Sequence, residues 1–535
     1  LPRCLPGLMG RRLCAAGALL LLGLLVVLPL LRLVSAAAAG GTVGLAAAVD
    51  GPDLAALINT GWTALAVMVL AVSAGTAAAL LTERRRPPGR GWLRLAIIAP
   101  LLVPNYVAAI AWQRAYGRAG LTDQVLGLTL PGLEGPAGIV LVMAVGAIPL
   151  SYLIIAGGLA AAAEPDRERA ARASGAGPLR AAAGITLPLL RPALVAAAVL
   201  SFATAASAFG VPQVLGSPAG FSTLATRIYR DLNFATDEAA FARVLVAACV
   251  LLALALLAAA AADASLGRGR DRPGGPAEPG SGAGSSWAPL PVAFALLLLV
   301  GLPLLALVLE ALTRAAGLPP TPANWTLANF AAALQGNAFR ALLNSLLLAA
   351  LAASLTVAMG ALVVVVGGRA ARALGAGVTA SFAIAGSALA VAVLLVYDEW
   401  LRDTLALILI AYLAKFWALG HRPLAGAADR LPPDVFRAAR ASGAGPIDML
   451  ISIVTPLFRP VLAAAWLLVF VTAVHEVTMS SLLYGPGSET LAVVVLNLQQ
   501  LGDPTVTSAL AVILTLLLAL PAIALLGLRP ARSGL

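Results

Sequence analysis

Charge, histidine and cysteine are scarce in this chain of 535 residues: 11% of its positions are charged, two are histidine and three are cysteine. No soluble domain of this length carries 61% hydrophobic residues on so few charges, so the chain reads as a polytopic membrane protein. Cys4, Cys14 and Cys249 have neither metal-site nor disulfide spacing, and His421 and His475 are too few for a histidine-based metal centre. No G-x-x-x-x-G-K-S/T phosphate loop occurs, so nothing here binds nucleotide by that route. The sequence thus assigns no catalytic residue, no metal ligand and no cofactor of its own. A net charge of +11 would point to nucleic acid in a soluble protein. Here the arginines cluster between apolar runs, as membrane orientation requires, and no nucleic-acid partner is read.

What the chain does contain is a repeat. The stretch from Glu164 to Pro192 returns from Pro432 to Pro460, and the ten residues Arg169 to Pro178 are identical to Arg437 to Pro446 at an offset of 268. The offset also pairs Pro165 with Pro433, Asp166 with Asp434, Pro188 with Pro456 and Arg191-Pro192 with Arg459-Pro460. Two copies of so long a match mean two halves of one fold. Each copy starts with proline and aspartate, continues as an Ala/Arg-rich turn and breaks at Gly-Ala-Gly-Pro before the next proline, which reads as helix, sharp turn, helix.

Runs long enough to cross a bilayer, bounded by the nearest charges, number twelve. The first half supplies 13–31, 54–82, 95–113, 135–163, 192–226 and 244–262; the second supplies 279–309, 341–368, 373–397, 404–421, 460–484 and 504–528. The longest must include loop. The tenth contains Lys415, expected near the cytoplasmic end with its stem snorkelling outward, and the eleventh contains His475 and Glu476. With the N-terminus inside, 26 of the 35 Lys and Arg face the cytoplasm, which puts both termini and both copies of the repeated loop there. The rival reading of the start is a cleaved leader, with Arg11-Arg12 before the apolar run and Ser35-Ala36-Ala37-Ala38 after it. Removing it would leave the rest of the topology unchanged.

Gly267 to Ser286, rich in Gly, Pro and Ser, reads as a flexible cytoplasmic tether between a first half over 1–266 and a second over 287–535. An even number of spans per half makes the repeat parallel rather than inverted. The expected fold is therefore an all-α integral membrane protein of about 12 transmembrane helices in two parallel six-helix repeats. A duplicated loop on one face calls for a partner that is itself two-fold, and any nucleotide-driven motor must be a separate protein docking there. The bland alternative is that the loops merely cap spans, which does not require ten identical residues.

These residues resemble the permease subunits of binding-protein-dependent ABC importers, whose signature is a cytoplasmic E-A-A-x-x-x-G loop followed by L-P. Ala170-Ala171 with Gly175 and Leu187-Pro188 match in the first half; Ala438-Ala439 with Gly443 and Thr455-Pro456 match in the second. The resemblance implies that Arg169, Ala170, Ala171, Gly175, Ala176, Gly177 and Pro188, with Arg437, Ala438, Ala439, Gly443, Ala444, Gly445 and Pro456, couple the chain to two copies of an ABC ATPase. ATP and Mg would be bound by that ATPase, and an extracytoplasmic solute-binding protein would dock on the opposite face of a prokaryotic plasma membrane. The departure is Arg169 and Arg437 where the family has an acid, with Glu168 beside the first. Phe209-Gly210-Val211-Pro212, Leu215-Gly216 and Thr223 to Tyr229, then His475-Glu476 with Thr490-Leu491-Ala492, most resemble the ferric-iron importers. Related permeases for thiamine, phosphonates and other small solutes share the architecture.

Glu476 is expected within a span, where an isolated charge costs at least about 2.5 kcal/mol and must find a partner or water. It is read either as part of the translocation path, together with Ser207, Phe209, Gly210, His475 and Thr478, or as a paired group fixing helix packing. Ser201, Thr204 and Ser207, like Thr472 and Thr478, recur at spacings that serve packing as readily as a pore. Two rivals from other classes remain. A secondary transporter predicts ionisable residues in several spans, where Glu476 is nearly alone; a membrane enzyme predicts clustered catalytic polar residues, and none stand out.

Overall fold

The computed structural model describes residues 8–39, 51–85, 87–161, 170, 173–177, 180, 182–235, 238–267, 290–431, 439, 441–443, 445, 452 and 455–527. The proposed tether from Gly267 lies almost wholly outside them. Among the described residues nine helices are long and apolar enough to cross a membrane, or eleven if each of two bent pairs counts as one span. In chain order they begin with α1 (Met9–Ala39), α2 (Gly51–Arg84), the bent pair α3 (Arg90–Leu102) and α4 (Asn105–Tyr116), α5 (Pro136–Ala160) and α6 (Ala183–Ala206). The short α7 (Leu224–Phe234) and the long α8 (Ala239–Ala261) complete the first half. The second half repeats the order with α9 (Leu290–Leu312), α10 (Asn337–Val366), the bent pair α11 (Gly368–Ala383) and α12 (Gly386–Leu401), and α13 (Leu405–Asp429). It closes with α14 (Thr455–Val474), the short α15 (Thr478–Leu483) and α16 (Leu491–Leu501), and α17 (Pro504–Gly527).

Two expected spans are not straight. The third turns by 101° between α3 and α4, and the ninth by 107° between α11 and α12. Pro104, which has no amide hydrogen, stands at the first break beside extended Val103; Ile384 and Ala385 are extended at the second. The fifth and eleventh spans also stop early, at Ala206 and Val474, because the chain leaves the helix at Ser207 and again at His475. Lys415 does not snorkel: it lies inside α13 and its Nζ donates to the Ile384 carbonyl at 2.7 Å.

The chain forms two compact units, each drawing on both halves of the sequence. One holds α1 with α10 to α16; the other holds most of α2 to α6 with α9 and α17. In the first, α1 packs on α10, α11 and α12, all from the second half. In the second, α9 packs on α4, from the first half, and on α17. The first helix of each half thus packs on helices drawn from the other half. Both carry a π-helical turn, Gly23–Val27 in α1 and Leu297–Gly301 in α9. The extra residue in such a turn leaves carbonyls without their usual amide partners. The Tyr397 hydroxyl donates to the Leu24 carbonyl in one unit; in the other, Tyr116 and Trp112 donate to the Leu298 and Leu299 carbonyls.

Small residues set the closest crossings, as lipid-embedded helices require when dispersion replaces the hydrophobic effect. Between α10 and α13 a Cβ on Gly420 would stand 2.5 Å from the Thr356 carbonyl oxygen, and one on Gly360 would stand 2.8 Å from Gly420 itself. Gly426, further along α13, has nothing within 4 Å of that position among the described residues. Gly420→Val is therefore expected to cost about 1–3 kcal/mol by overpacking, read as a lowered midpoint in thermal unfolding of the detergent-solubilised chain. Gly426→Ala should leave that midpoint unchanged or raise it.

Candidate functional site

The repeated loop lies partly outside the described residues, which exclude Arg169, Ala171, Arg437, Ala438 and Ala444. Where it is described, the two copies agree. Ala170 is helical and its carbonyl accepts the Ser174 amide at 3.0 Å; Gly175 then turns with φ +86°. In the second copy Ala439 is helical and Gly443 turns with φ +80°. Positive φ at both positions explains the glycine, since a side chain there meets its own backbone. Ala176 and Gly177 follow outside the helix, as Gly445 does in the second copy. Pro188 and Pro456 stand at matching places in the helices that leave the loop: Pro188 follows the π-helical stretch Ala182–Thr186 that opens α6, and Pro456 is the second residue of Thr455–Val474.

At the far end of α14 a polar cluster forms within one unit. Glu476 stands in the break between α14 and α15, and its carboxylate accepts the amides of Thr478, Met479 and Ser480 at 3.0, 2.8 and 3.2 Å. The carboxylate therefore serves as an N-terminal cap, supplying acceptors for amides that a helix start leaves unpaired. Ser480 bonds the Tyr412 hydroxyl of α13 at 2.7 Å, and the α12 residue Gly386 sits where a Cβ would touch Thr478 at 3.4 Å. Lys415, one turn along α13 from Tyr412, lies within the electrostatic reach of Glu476. His475 is adjacent in sequence and half-buried.

The remaining pathway candidates are placed less suggestively. Phe209 and Gly210 are buried just after α6. Ser207, Thr204 and Thr472 donate to carbonyls four residues back on their own helices, at 2.8, 2.9 and 2.7 Å. Ser201 instead bonds Ser151 of α5 at 3.0 Å, a packing contact.

Three arrangements were not read from the sequence. Asn59-Thr60 on α2 hold the segment before α7: the Asn59 amide donates to the Ser222 carbonyl at 3.0 Å, and Thr60 Oγ1 accepts the Leu224 amide at 2.9 Å. In the other unit Asn344-Ser345 on α10 do the same before α16, Asn344 donating to the Gly487 and Glu489 carbonyls and Ser345 accepting the Leu491 amide at 2.8 Å. Polar pairs inside otherwise apolar runs were the available signal. A second cluster joins Arg114 to Gln499, Gln499 to Gln113 and Gln113 to Glu134 by hydrogen bonds of 3.0, 3.0 and 3.4 Å, with Glu310 and Asp503 in Arg114's field. In the third, Asp53 and Asp231 alternate with Arg227 and Arg243 at 2.7 to 3.6 Å. Burial pushes the Asp231 carboxyl above its ordinary value against the pull of both guanidiniums.

Residues 71–268 and 357–530 each match the binding-protein-dependent transport system inner membrane component family. The chain belongs to that family. Each matched segment contains one copy of the repeated loop, so the permease is a tandem of two family units. It is similar to the probable ABC transporter permease protein y4fN of Sinorhizobium fredii, 26% identical over 487 residues that span 87% of this chain and 85% of that protein. It is also similar to the molybdenum transport system permease protein ModB of Mycobacterium bovis, 36% identical over 228 residues, 39% of this chain and 85% of that one. The Fe(3+)-transport system permease protein FbpB 2 of Haemophilus influenzae is 26% identical over 238 residues, 44% of this chain and 43% of that one. The permease is thus an all-α, multi-pass inner-membrane protein.

The four-charge cluster gives a direct test of what holds α7. Arg227→Gln removes half of the counter-charge around two buried aspartates and is expected to cost about 3–5 kcal/mol, measured as a lowered unfolding midpoint. Adding Asp231→Asn to it should recover part of the loss, because the uncompensated charge goes with it.

Proposed function

We propose that the permease is the complete transmembrane pathway of an ATP-driven importer and is not itself an enzyme. Two copies of a separate ABC ATPase, binding ATP and Mg, dock on the two repeated loops at the cytoplasmic face, and a solute-binding protein delivers cargo to the opposite face. Both termini and the segment 267–286 lie in the cytoplasm, the side to which the arginine bias assigns them. Closure of the ATPase pair draws the loops together, and α6 and α14 carry the movement to the far side of the membrane. The reading rests chiefly on one observation: each matched family segment contains a loop of the same sequence whose glycine takes the same left-handed turn and which leads to a helix with proline at the matching position, Pro188 and Pro456. Such levers work only if they make different contacts in the two nucleotide states.

Ferric iron is the cargo favoured by the segments after the two loops, Phe209 to Tyr229 and His475 to Ala492. Molybdate is the second reading, supported by the 36% identity to a molybdenum transport permease over most of that protein's length. Selectivity is assigned to the binding protein, so titration of the partner binding protein with ferric iron and with molybdate separates the two.

Gly175→Val and Gly443→Val test the coupling role. Among the described residues nothing lies within 4 Å of a Cβ at either position, and both glycines have positive φ, so the substitution strains the turn. The strain is about 1–2 kcal/mol per residue. In vesicles containing the permease with its ATPase, ATP hydrolysis stimulated by the loaded binding protein should fall on the order of tenfold while the unfolding midpoint of each variant falls no further than that of Gly420→Val. Undiminished stimulation, or uptake by the permease alone, would overturn the reading.

A further inference from the structure

Lys415 is the only lysine in the chain, which uses arginine at every other basic position. It stands on α13 opposite the break between α11 and α12, and two contacts pin that break from α13. Ser381 Oγ, three residues before the break, donates to the Ala414 carbonyl at 2.8 Å; Lys415 Nζ, from the next residue of α13, donates to the Ile384 carbonyl at 2.7 Å. Ile384 is the first residue past α11 and is extended, so its carbonyl lies on the unwound backbone between the two helices. Broken helices in transporters offer such carbonyls to a coupling cation at the membrane midplane. The same ammonium feels Glu476, whose carboxylate caps α15, and α12 packs on α15 with Gly386 against Thr478.

We propose that Lys415 is a built-in cation, its ammonium taking the place at the α11–α12 break that a free monovalent ion takes in an ion-coupled transporter, and so positioning α12 and α15 without any ion from solution. A lysine suits the place because its ammonium is a compact point charge on a flexible stem, whereas the flat guanidinium fork matches a carboxylate better than a single carbonyl. In the other unit the fourth span brings no cation to the corresponding break: Gly146 of α5 faces Asn105, with a Cβ there 2.7 Å from its Oδ1. The built-in charge is thus confined to the unit that contains Glu476. Lys415 is a positioning residue, and its bearing on transport rests on the permease reading above.

The test is chemical rescue. Lys415→Ala removes the charge and opens a hole, Lys415→Met fills the hole without charge, and Lys415→Arg keeps charge in the wrong shape. Thermal unfolding of each purified chain in detergent is measured with methylammonium, with tetramethylammonium and with sodium chloride. The Lys415→Ala midpoint should fall and be raised selectively by methylammonium, which donates hydrogen bonds, while tetramethylammonium, which cannot, has no effect; Lys415→Met should show no rescue. Lys415→Ala and Lys415→Met should each lower ATP hydrolysis stimulated by the ferric- or molybdate-loaded binding protein on the order of tenfold, with methylammonium restoring only the Ala variant. Equal responses to both ammonium ions, or a Lys415→Met variant as active and stable as the unaltered chain, overturn the proposal. If Lys415→Ala does not fold, the Lys415→Met arm still decides. Absence of stimulation in the unaltered complex would count against the permease reading alone, because the unfolding measurement needs no partner.

Discussion

Away from water, a backbone carbonyl or amide that leaves its helix must find another partner, and this constraint organises the interior of both units. The structure departs from regular helix at many depths: π-turns in α1 and α9, breaks after α3 and α11, and the exit of the chain at the end of α14. At the π-turns, at the break after α11 and beyond α14, polar side chains meet released groups. Tyr397 takes Leu24, Tyr116 and Trp112 take Leu298 and Leu299, Lys415 takes Ile384, and Glu476 takes three amides of α15.

That reading changes what a polar residue in an apolar run signifies. Thr204, Ser207 and Thr472 close bonds within their own helices, and Ser201 joins α5 to α6. Glu476 is both less and more than a lone charge on a pathway: its three amide bonds fix the direction in which the chain resumes after α14. The cap thus stands at the opposite end of α14 from the second repeated loop.

The exchange of first helices between the halves has a mechanical consequence inside each unit. In one unit α1 is held on second-half helices and latched by Tyr397; in the other α9 is held on α4 and latched by Tyr116 and Trp112. Dividing such a tandem chain between its halves would take each first helix away from other-half helices it packs on. Covalent fusion suits that arrangement, since it holds the donor of each helix near its acceptor.

The amino-acid sequence alone determined the class of the molecule, its duplication and the approximate place of each span, because membrane insertion is governed by local hydropathy and the repeat is written in identical residues. It also marked the loop glycines, where a positive φ demands them. It did not show that the third and ninth spans bend, that Lys415 turns inward, or that Asn59-Thr60 and Asn344-Ser345 tie the segments before α7 and α16. Those outcomes depend on which backbone groups lose their helical partners and which distant side chain can reach them. Such pairings span up to 373 residues, as between Tyr397 and Leu24. Hydropathy records how deep a residue sits; only tertiary packing decides what it faces.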